Sequence, residues 1–260
     1  MLESHRLIVE RITQRYRSDP DVLALIVIGS VARGEAHERS DVDVLVILTD
    51  EAYARYQASD VPPLSAEELA GKHHDARPGV RDKAYLRAAA ERGPEPTRFA
   101  FVQAMVPFSR DPEIEPLLAA IPTYPEHERE GKLASFASQL PVHLSYLYLG
   151  DYSENPYILA DSAHELALFG GRLILAHNRF LFPGRKHFLS QLERAPQKPD
   201  RFLWLMRRLL RQPCIPTAEA FCEAVMSFQP WPHPAEGHGA RYVQDRDLAW
   251  LHQPPALGES

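Results

Sequence analysis

Two short apolar segments, separated by a polar stretch, constrain the fold more than any other feature of this chain. The segments are VLALIVI, residues 22–28, and VDVLVIL, residues 42–48. Each has the length of a β-strand and is rich in β-branched residues, and neither shows the regular alternation of a half-exposed strand. Strands that are apolar on both faces lie in the centre of a sheet that helices cover. The sequence therefore predicts an α/β fold in which both segments are central strands.

The rest of the pattern divides the chain into a mixed half and a helical half. Before residue 112 it predicts a helix over 4–18, a helix-containing loop over 50–78, and strands over 79–87 and 99–108. Helical spacing between prolines then predicts six helices, over 113–121, 128–150, 157–179, 184–195, 200–211 and 216–228. We expect a mixed-sheet α/β (α+β) domain over 1–111, an all-helical domain over 112–228 and an irregular tail over 229–260.

Composition narrows the classes of protein to which the chain can belong. Its 260 residues carry a formal charge of −6, which argues against long nucleic acids as partners, although a local basic groove is compatible with that value. No apolar run is long enough for a membrane span, and the charged N-terminus does not resemble a signal peptide. Two cysteines do not form a disulfide framework. A cytoplasmic protein is therefore expected.

Asp41 and Asp43 stand at the start of the second apolar segment. In a strand, residues i and i+2 project to the same face, so the two carboxylates are expected to be neighbours. Two like charges held close together repel, and a cation that bridges them removes this cost. Mg²⁺ prefers hard oxygen ligands and takes one or two carboxylates together with substrate phosphates. The sequence therefore predicts a Mg²⁺ site at Asp41 and Asp43.

Gly29 and Ser30 follow the first apolar segment. Glycine permits a sharp turn out of a strand, and the residues after it can begin a helix whose amide groups face an anion. Ser30 adds a hydroxyl donor, and Arg33 adds positive charge one turn later. No Walker sequence GxxxxGK[ST] is present. A phosphate site beside a metal-binding carboxylate pair is typical of enzymes that catalyse phosphoryl or nucleotidyl transfer.

The stretch GSVARGEAHERSDVDVLV resembles the signature of the polymerase-β-type nucleotidyltransferase superfamily, in which Gly-Ser, ten residues and Asp-x-Asp follow one another. The resemblance covers residues 22–48 and extends loosely over 79–110. It implies that Gly29, Ser30 and the motif residue Ser40 lie at the nucleotide phosphates. It also implies that Asp41 and Asp43 bind one or two Mg²⁺ ions, that ATP or another NTP is the co-substrate, and that a third carboxylate comes from a later strand.

The third carboxylate is predicted to be Asp82, because it lies in the next strand-like segment, GVRDKAYL. As a metal ligand it would also serve as general base for the attacking hydroxyl. Asp75 and Asp111 are the alternatives, and a solvent-exposed Asp82 between Arg81 and Lys83 is the plainer interpretation of the same residue.

The segment GGRLILAHNRFLFPGRKHFLSQL, residues 170–192, more weakly resembles the helical domain of small-substrate, antibiotic-modifying nucleotidyltransferases. The segment is rich in positive charge, and Lys186, which opens a helix after Pro183-Gly184, is the first candidate for a phosphate contact. Arg172 is the second candidate. A solvated helix face explains the same charges equally well. Farther along, the cluster of Phe202, Trp204 and Leu205 is predicted to belong to the core.

These observations predict an enzyme that transfers AMP from ATP, or another nucleoside monophosphate from its NTP, to a hydroxyl of a small molecule with release of pyrophosphate. Two alternatives stay open. One is transfer to a protein side chain, as in antitoxin-type nucleotidyltransferases, which are usually shorter chains. The other is a catalytically inactive, nucleotide-binding regulatory protein. By analogy with small antibiotic-modifying enzymes, the resemblance also implies a homodimer.

Overall fold

The computed structural model describes residues 1–59 and 76–252, and these form two compact units, Met1–Thr123 and Tyr124–Ser260. The predicted boundary between residues 111 and 112 is therefore too early. The helix Ile114–Ala120 belongs to the first unit, because its Ile114 and Leu118 are buried in a core that the strands of that unit share.

Four strands within the described residues form one mixed sheet in the first unit. They are β1 (Val22–Ile28), β2 (Val42–Leu48), β3 (Ala76–Asp82) and β4 (Met105–Ser109), in the order β3-β2-β1-β4. Strand β1 is antiparallel to β2 and β4, whereas β2 and β3 are parallel. The two apolar segments are thus the central strands, and the predicted mixed-sheet α/β class is confirmed.

Helices cover both faces of this sheet. Those described in the first unit are α1 (Glu3–Arg17), α2 (Gly29–Ala32), α3 (Asp50–Ser59), α4 (Lys83–Arg92), α5 (Glu95–Ala100) and α6 (Ile114–Ala120). Alternate residues of β2 enter two different cores. Val44 packs in the core that contains Ile12 of α1, and Leu45 packs in the core that contains Leu86 of α4. This double burial explains why the central strands carry an almost unbroken apolar sequence.

Two predicted strands have different limits in the structure. The strand expected over 79–87 ends at Asp82, because the Asp82 carboxylate accepts the N–H of Tyr85 (2.9 Å) and caps α4. The strand expected over 99–108 begins only at Met105, since α5 occupies residues 95–100. Of the loop expected over 50–78, residues 50–59 form α3 as predicted, and residues 60–75 lie outside the described part of the chain.

The second unit is helical, as predicted. Its described helices are α7 (Arg129–Tyr152), α8 (Pro156–His177), α9 (Phe188–Arg194), α10 (Phe202–Arg211), α11 (Ile215–Met226) and α12 (His238–Asp245), with 3-10 turns at Glu126–Glu128, Arg185–His187 and Ala249–Leu251. Asn155 caps α8 by accepting the N–H groups of Tyr157 and Ile158. Fully buried side chains from four helices, Leu140, Leu166, Phe202 and Phe221, form the centre of the core.

The predicted irregular tail contains the ordered helix α12, which corrects that part of the sequence analysis. Ser138 of α7 lies 3.2 Å from Nδ1 of His238, and Ser135 donates to Asp245. Tyr242 places its ring against that of His143. Because the apolar content of this segment is low, its packing depends on these polar and aromatic contacts. No helix in the described part of the chain combines the length and apolar character needed to cross a membrane.

Candidate active site

The turn after β1 brings the Gly-Ser motif against the Asp-x-Asp motif. Ile28, the last residue of β1, is the register partner of Asp43 in β2. The next residue, Gly29, has a φ of 73° and begins α2. A Cβ at Gly29 would lie 2.7 Å from Oδ2 of Asp43. Both the left-handed backbone and the close approach therefore require glycine at this position.

The two aspartates flank the start of β2. Asp41 immediately precedes the strand and Asp43 is its second residue, and both are half-buried. Asp43 alternates with Val42 and Val44, which enter the core beneath α1. Its carboxylate is consequently directed toward the turn at Gly29, which agrees with the short distance between Oδ2 and a Cβ at that position. Ser30 follows in this turn and is 9% exposed.

Arg33 is held by protein groups near this turn. Its Nε donates to Oε2 of Glu35 at 2.9 Å, and its guanidinium carbon lies 4.6 Å from the ring centroid of Phe99. The Arg33 side chain is only 5% exposed. In the structure Arg33 thus supports the loop, and its contact with a phosphate stays a prediction. Sequence reasoning missed Phe99, because it lies far from the motif along the chain.

Ser40 fixes the loop that leads into Asp41. Its hydroxyl accepts the N–H of His37 at 3.0 Å, and its carbonyl accepts a hydrogen bond from Nε2 of His5 at 3.0 Å. Ser40 thus positions the loop before Asp41. Its hydroxyl can still donate, so its predicted contact with a phosphate stays a prediction. His5 was also missed, although its spacing relative to Ile8 and Ile12 on the buried face of α1 is a usable signal.

Asp82 is not brought together with the aspartate pair. In the parallel pairing of β2 with β3, Asp43 is opposite Arg77, whereas Asp82 is opposite Leu48 at the other end of the strand. The separation of five residues at roughly 3.3 Å each is about 16 Å. The prediction of Asp82 as third carboxylate is therefore wrong. It failed because β3 begins earlier in the sequence than the pattern indicated.

The alternatives for the third carboxylate differ in their placement. Oδ2 of Asp111 lies 2.6 Å from Nζ of Lys83, and this hydrogen bond lowers the pKa of Asp111. Asp111 follows β4 at the end of the sheet where Ser109 pairs with Ala24, away from Ile28. Asp75 lies outside the described residues. Among the residues that are described, no group of three or more His, Cys, Asp or Glu side chains is placed to hold a metal ion.

Arg172 and Lys186 belong to the second unit. The Arg172 guanidinium carbon lies 4.3 Å from the ring centroid of Phe136 and 4.8 Å from that of Phe182. Together with Glu165, Arg172 lines a cavity of about 530 Å³. Lys186 is exposed in the 3-10 turn that precedes α9.

Comparison with known proteins agrees with this description of the first unit. Residues 6–98 match the family model of the nucleotidyltransferase domain, and this range includes Gly29, Ser30, Asp41 and Asp43. None of the curated proteins matches the chain. A solved structure similar to this one is that of a nucleotidyltransferase-like protein from Exiguobacterium sibiricum 255-15, with 13% identity, a TM-score of 0.46, and coverage of 97% of this chain and 82% of that chain. Residues 6–98 of this chain are therefore similar in sequence to a nucleotidyltransferase domain, the family that the Gly-Ser and Asp-x-Asp motifs predicted.

Proposed function

We propose that this chain is a Mg²⁺-dependent nucleotidyltransferase that moves AMP, or another nucleoside monophosphate, from an NTP to a hydroxyl of a small molecule and releases pyrophosphate. The observation that carries the proposal is the contact between the Gly29 turn and the Asp43 carboxylate. It joins a candidate phosphate site to a candidate metal site within one nucleotidyltransferase domain.

The donor set at Asp41 and Asp43 fits Mg²⁺. Two carboxylates supply hard oxygen ligands, and the remaining positions of this ion are usually filled by substrate phosphates and water. The glycine at position 29 leaves open the space beside Oδ2 that a Cβ would fill. When bound, Mg²⁺ would neutralise the charge of the triphosphate and of the departing pyrophosphate.

The residues of the turn would bind and orient the triphosphate. Main-chain N–H groups in the first turn of α2 and the Ser30 hydroxyl are donors of the kind that phosphates accept. Arg33 and Ser40 would keep the loop between the two motifs in place through Glu35 and His37. A fixed arrangement of this kind promotes transfer mainly by positioning.

In the proposed reaction, the acceptor hydroxyl oxygen attacks the α-phosphorus of the NTP. The new O–P bond forms as the bond from the α-phosphorus to the bridging oxygen breaks, and pyrophosphate leaves with that oxygen. The hydroxyl proton passes to a carboxylate base. We propose Asp75 for this role and as the third metal ligand, because the residue that follows it, Ala76, pairs with Val42 between the two aspartates.

For the second unit, we propose that Arg172 and Lys186 contact the nucleotide phosphates. Both side chains carry the positive charge that phosphates attract, and Lys186 is exposed; the Arg172 guanidinium lies near the rings of Phe136 and Phe182. A small acceptor is supported by the cavity of about 530 Å³ in this unit. Cavities of this size are in the range of small-molecule sites.

A pyrophosphate-release assay tests the proposal. The full chain is incubated with Mg²⁺, each of the four NTPs labelled on the α-phosphate, and a panel of hydroxyl-bearing acceptors that includes aminoglycosides and simple polyols. We expect Mg²⁺-dependent pyrophosphate release with label transferred to one class of small acceptor. Label on a protein would favour the protein-modifying alternative. Mg²⁺-dependent NTP binding without turnover, measured by calorimetry, would instead indicate a regulatory protein.

A further inference from the structure

Helix α10 carries a basic stripe on its exposed face, made of Arg201, Trp204, Arg208 and Arg211. Arg201 immediately precedes the helix, and the four residues are spaced by three, four and three positions. Residues at these spacings share one face of a helix. All four side chains are exposed, whereas the opposite face of α10 is buried in the core.

The charge of this region contrasts with that of the whole chain. Residues 194–211 contain six basic residues and one acidic residue, although the chain as a whole has a charge of −6. In the described part of the chain, the guanidinium groups of Arg201, Arg208 and Arg211 form no ion pair. The neighbouring Arg207, which lies outside the stripe, pairs with Glu193 at 2.6 Å. The basic stripe is therefore a local site of positive potential.

Trp204 lies in the middle of the stripe and does not belong to the core as the sequence predicted. It is 45% exposed, because the core positions of α10 are occupied by Phe202, Met206 and Leu209. The guanidinium carbon of Arg201 lies 4.0 Å from the Trp204 ring centroid, and that of Arg208 lies 5.3 Å from it. Positive groups and a partly exposed aromatic ring are thus combined in one surface.

We propose that the basic stripe binds single-stranded nucleic acid. Arg201, Arg208 and Arg211 would contact phosphates, and a base would stack on Trp204 or on the guanidinium plane beside it. Single-strand binding sites combine these two elements, a cationic track for the backbone and aromatic side chains for the bases. The expectation from net charge concerned the field of the whole chain, and the stripe is a local exception to it.

A lipid surface and an acidic protein are two other anionic partners, and both fit the basic stripe less well than a nucleic acid. An amphipathic helix binds a lipid surface through its apolar face, but the apolar face of α10 is buried against the second unit's own core. An acidic protein would satisfy the arginines without using the indole plane. A nucleic acid uses both the charge and the ring. This proposal is independent of the nucleotidyl-transfer activity, since it requires neither NTP nor Mg²⁺.

Fluorescence anisotropy of a labelled oligouridylate tests the proposal with the full chain in the absence of NTP and Mg²⁺. For three phosphate contacts on a single strand, the slope of log K against log salt is expected to be about −2. Arg208→Ala and Arg211→Ala should each reduce the slope by about 0.7. The control is Arg87→Ala, which removes an equal charge from an exposed pair with Glu113 in the first unit and should leave the slope unchanged.

Trp204→Ala separates stacking from charge. It should weaken oligouridylate binding about 5- to 150-fold without a change of slope, and it should leave the binding of heparin, a polyanion without bases, unchanged. An equal loss for heparin and oligouridylate would overturn the proposal. The proposal would also be overturned if oligouridylate binding did not depend on salt, or if Arg87→Ala and Arg208→Ala changed the slope equally. Stronger binding to phosphatidylserine vesicles or to polyglutamate than to oligouridylate would overturn it as well. Circular dichroism verifies that each variant is folded.

Discussion

Gly29 lies so close to Asp43 that a Cβ on the glycine would be 2.7 Å from Oδ2 of the aspartate. Gly29 follows the last residue of β1 and Asp43 is the second residue of β2, and they are neighbours because Ile28 and Asp43 are register partners. Fourteen positions apart in the sequence, the two motifs thus form a single structural element. The first consequence is that a substitution at Gly29 acts on Asp43.

Gly29→Ala and Gly34→Ala form a matched pair of variants. Both glycines have a left-handed φ, of 73° and 71°, so each alanine should cost about 1–2 kcal/mol of unfolding free energy. A Cβ at Gly34 meets no atom within 4 Å, whereas one at Gly29 displaces the Asp43 carboxylate. We expect similar stability losses in urea unfolding, but a loss of pyrophosphate release only in Gly29→Ala. Equal activity of the two variants would contradict the role of this contact.

Arg33→Ala should affect stability rather than NTP binding. The substitution removes the pair with Glu35 and the stacking on Phe99, and it should lower the free energy of unfolding by about 1–3 kcal/mol. For the exposed control Arg87→Ala we expect a change of about 0.5 kcal/mol or less. Urea unfolding and the KM for the NTP measure the two effects. A raised KM for the NTP with unchanged stability would instead support the predicted contact of Arg33 with the phosphates.

Substitutions at Asp82 and Asp75 should have different effects, the first on stability and the second on catalysis. Asp82→Ala removes the cap of α4 and should cost about 1 kcal/mol of stability without loss of turnover. Asp75→Asn removes the proposed base and should lower kcat by about 10²- to 10⁴-fold. Steady-state kinetics of both variants, with thermal unfolding as the companion measurement, checks the assignment. Full activity of Asp75→Asn would exclude Asp75 as the base.

The stability of the second unit should decrease in acid because of His143. Burial, together with the charge of Arg246, lowers the pKa of this histidine to about 4. An unfolded histidine has a pKa near 6.5, so the unfolded state gains the proton first. The free energy of unfolding is therefore unaffected by His143 above a pH of about 6.5. It decreases by up to about 3 kcal/mol as the pH falls toward 4. Glu165 acts in the opposite direction, because burial raises its pKa.

His143→Phe should therefore reduce the loss of stability on acidification, since phenylalanine keeps the contact with Phe169 and cannot be protonated. Urea unfolding of both proteins at neutral pH and near pH 4.5 measures this difference. The same loss in the variant as in the unsubstituted protein would assign the acid sensitivity to other groups.

The central strands and the closeness of the Gly29 turn to Asp43 could be predicted from the sequence because their signals are local. A fully apolar strand indicates burial on both faces, and Asp-x-Asp at its start indicates a paired carboxylate site. Helices in the second half were predicted for a similar reason, since proline positions and helical spacing mark their limits.

The failures concern relations that no local signal carries. The register of β3 determines which aspartate lies near Asp43, and a shift of the strand limits moved Asp82 to the far end of the sheet. Arg33 has the charge of a phosphate ligand, but its partner Phe99 comes from a distant helix. Trp204 occurs at a spacing compatible with the core, yet the packing of α10 leaves it at the surface.

The most direct test of the account is Mg²⁺-dependent pyrophosphate release by Asp43→Asn. The variant keeps the shape of the side chain beside Gly29 but removes its charge. We predict a loss of about 100-fold or more, because metal binding supplies several kcal/mol to such a transfer. Asp82→Asn, which removes an equal charge at the other end of the sheet, should retain the activity of the unsubstituted protein. Undiminished release by Asp43→Asn would contradict the central claim that this carboxylate holds the catalytic metal.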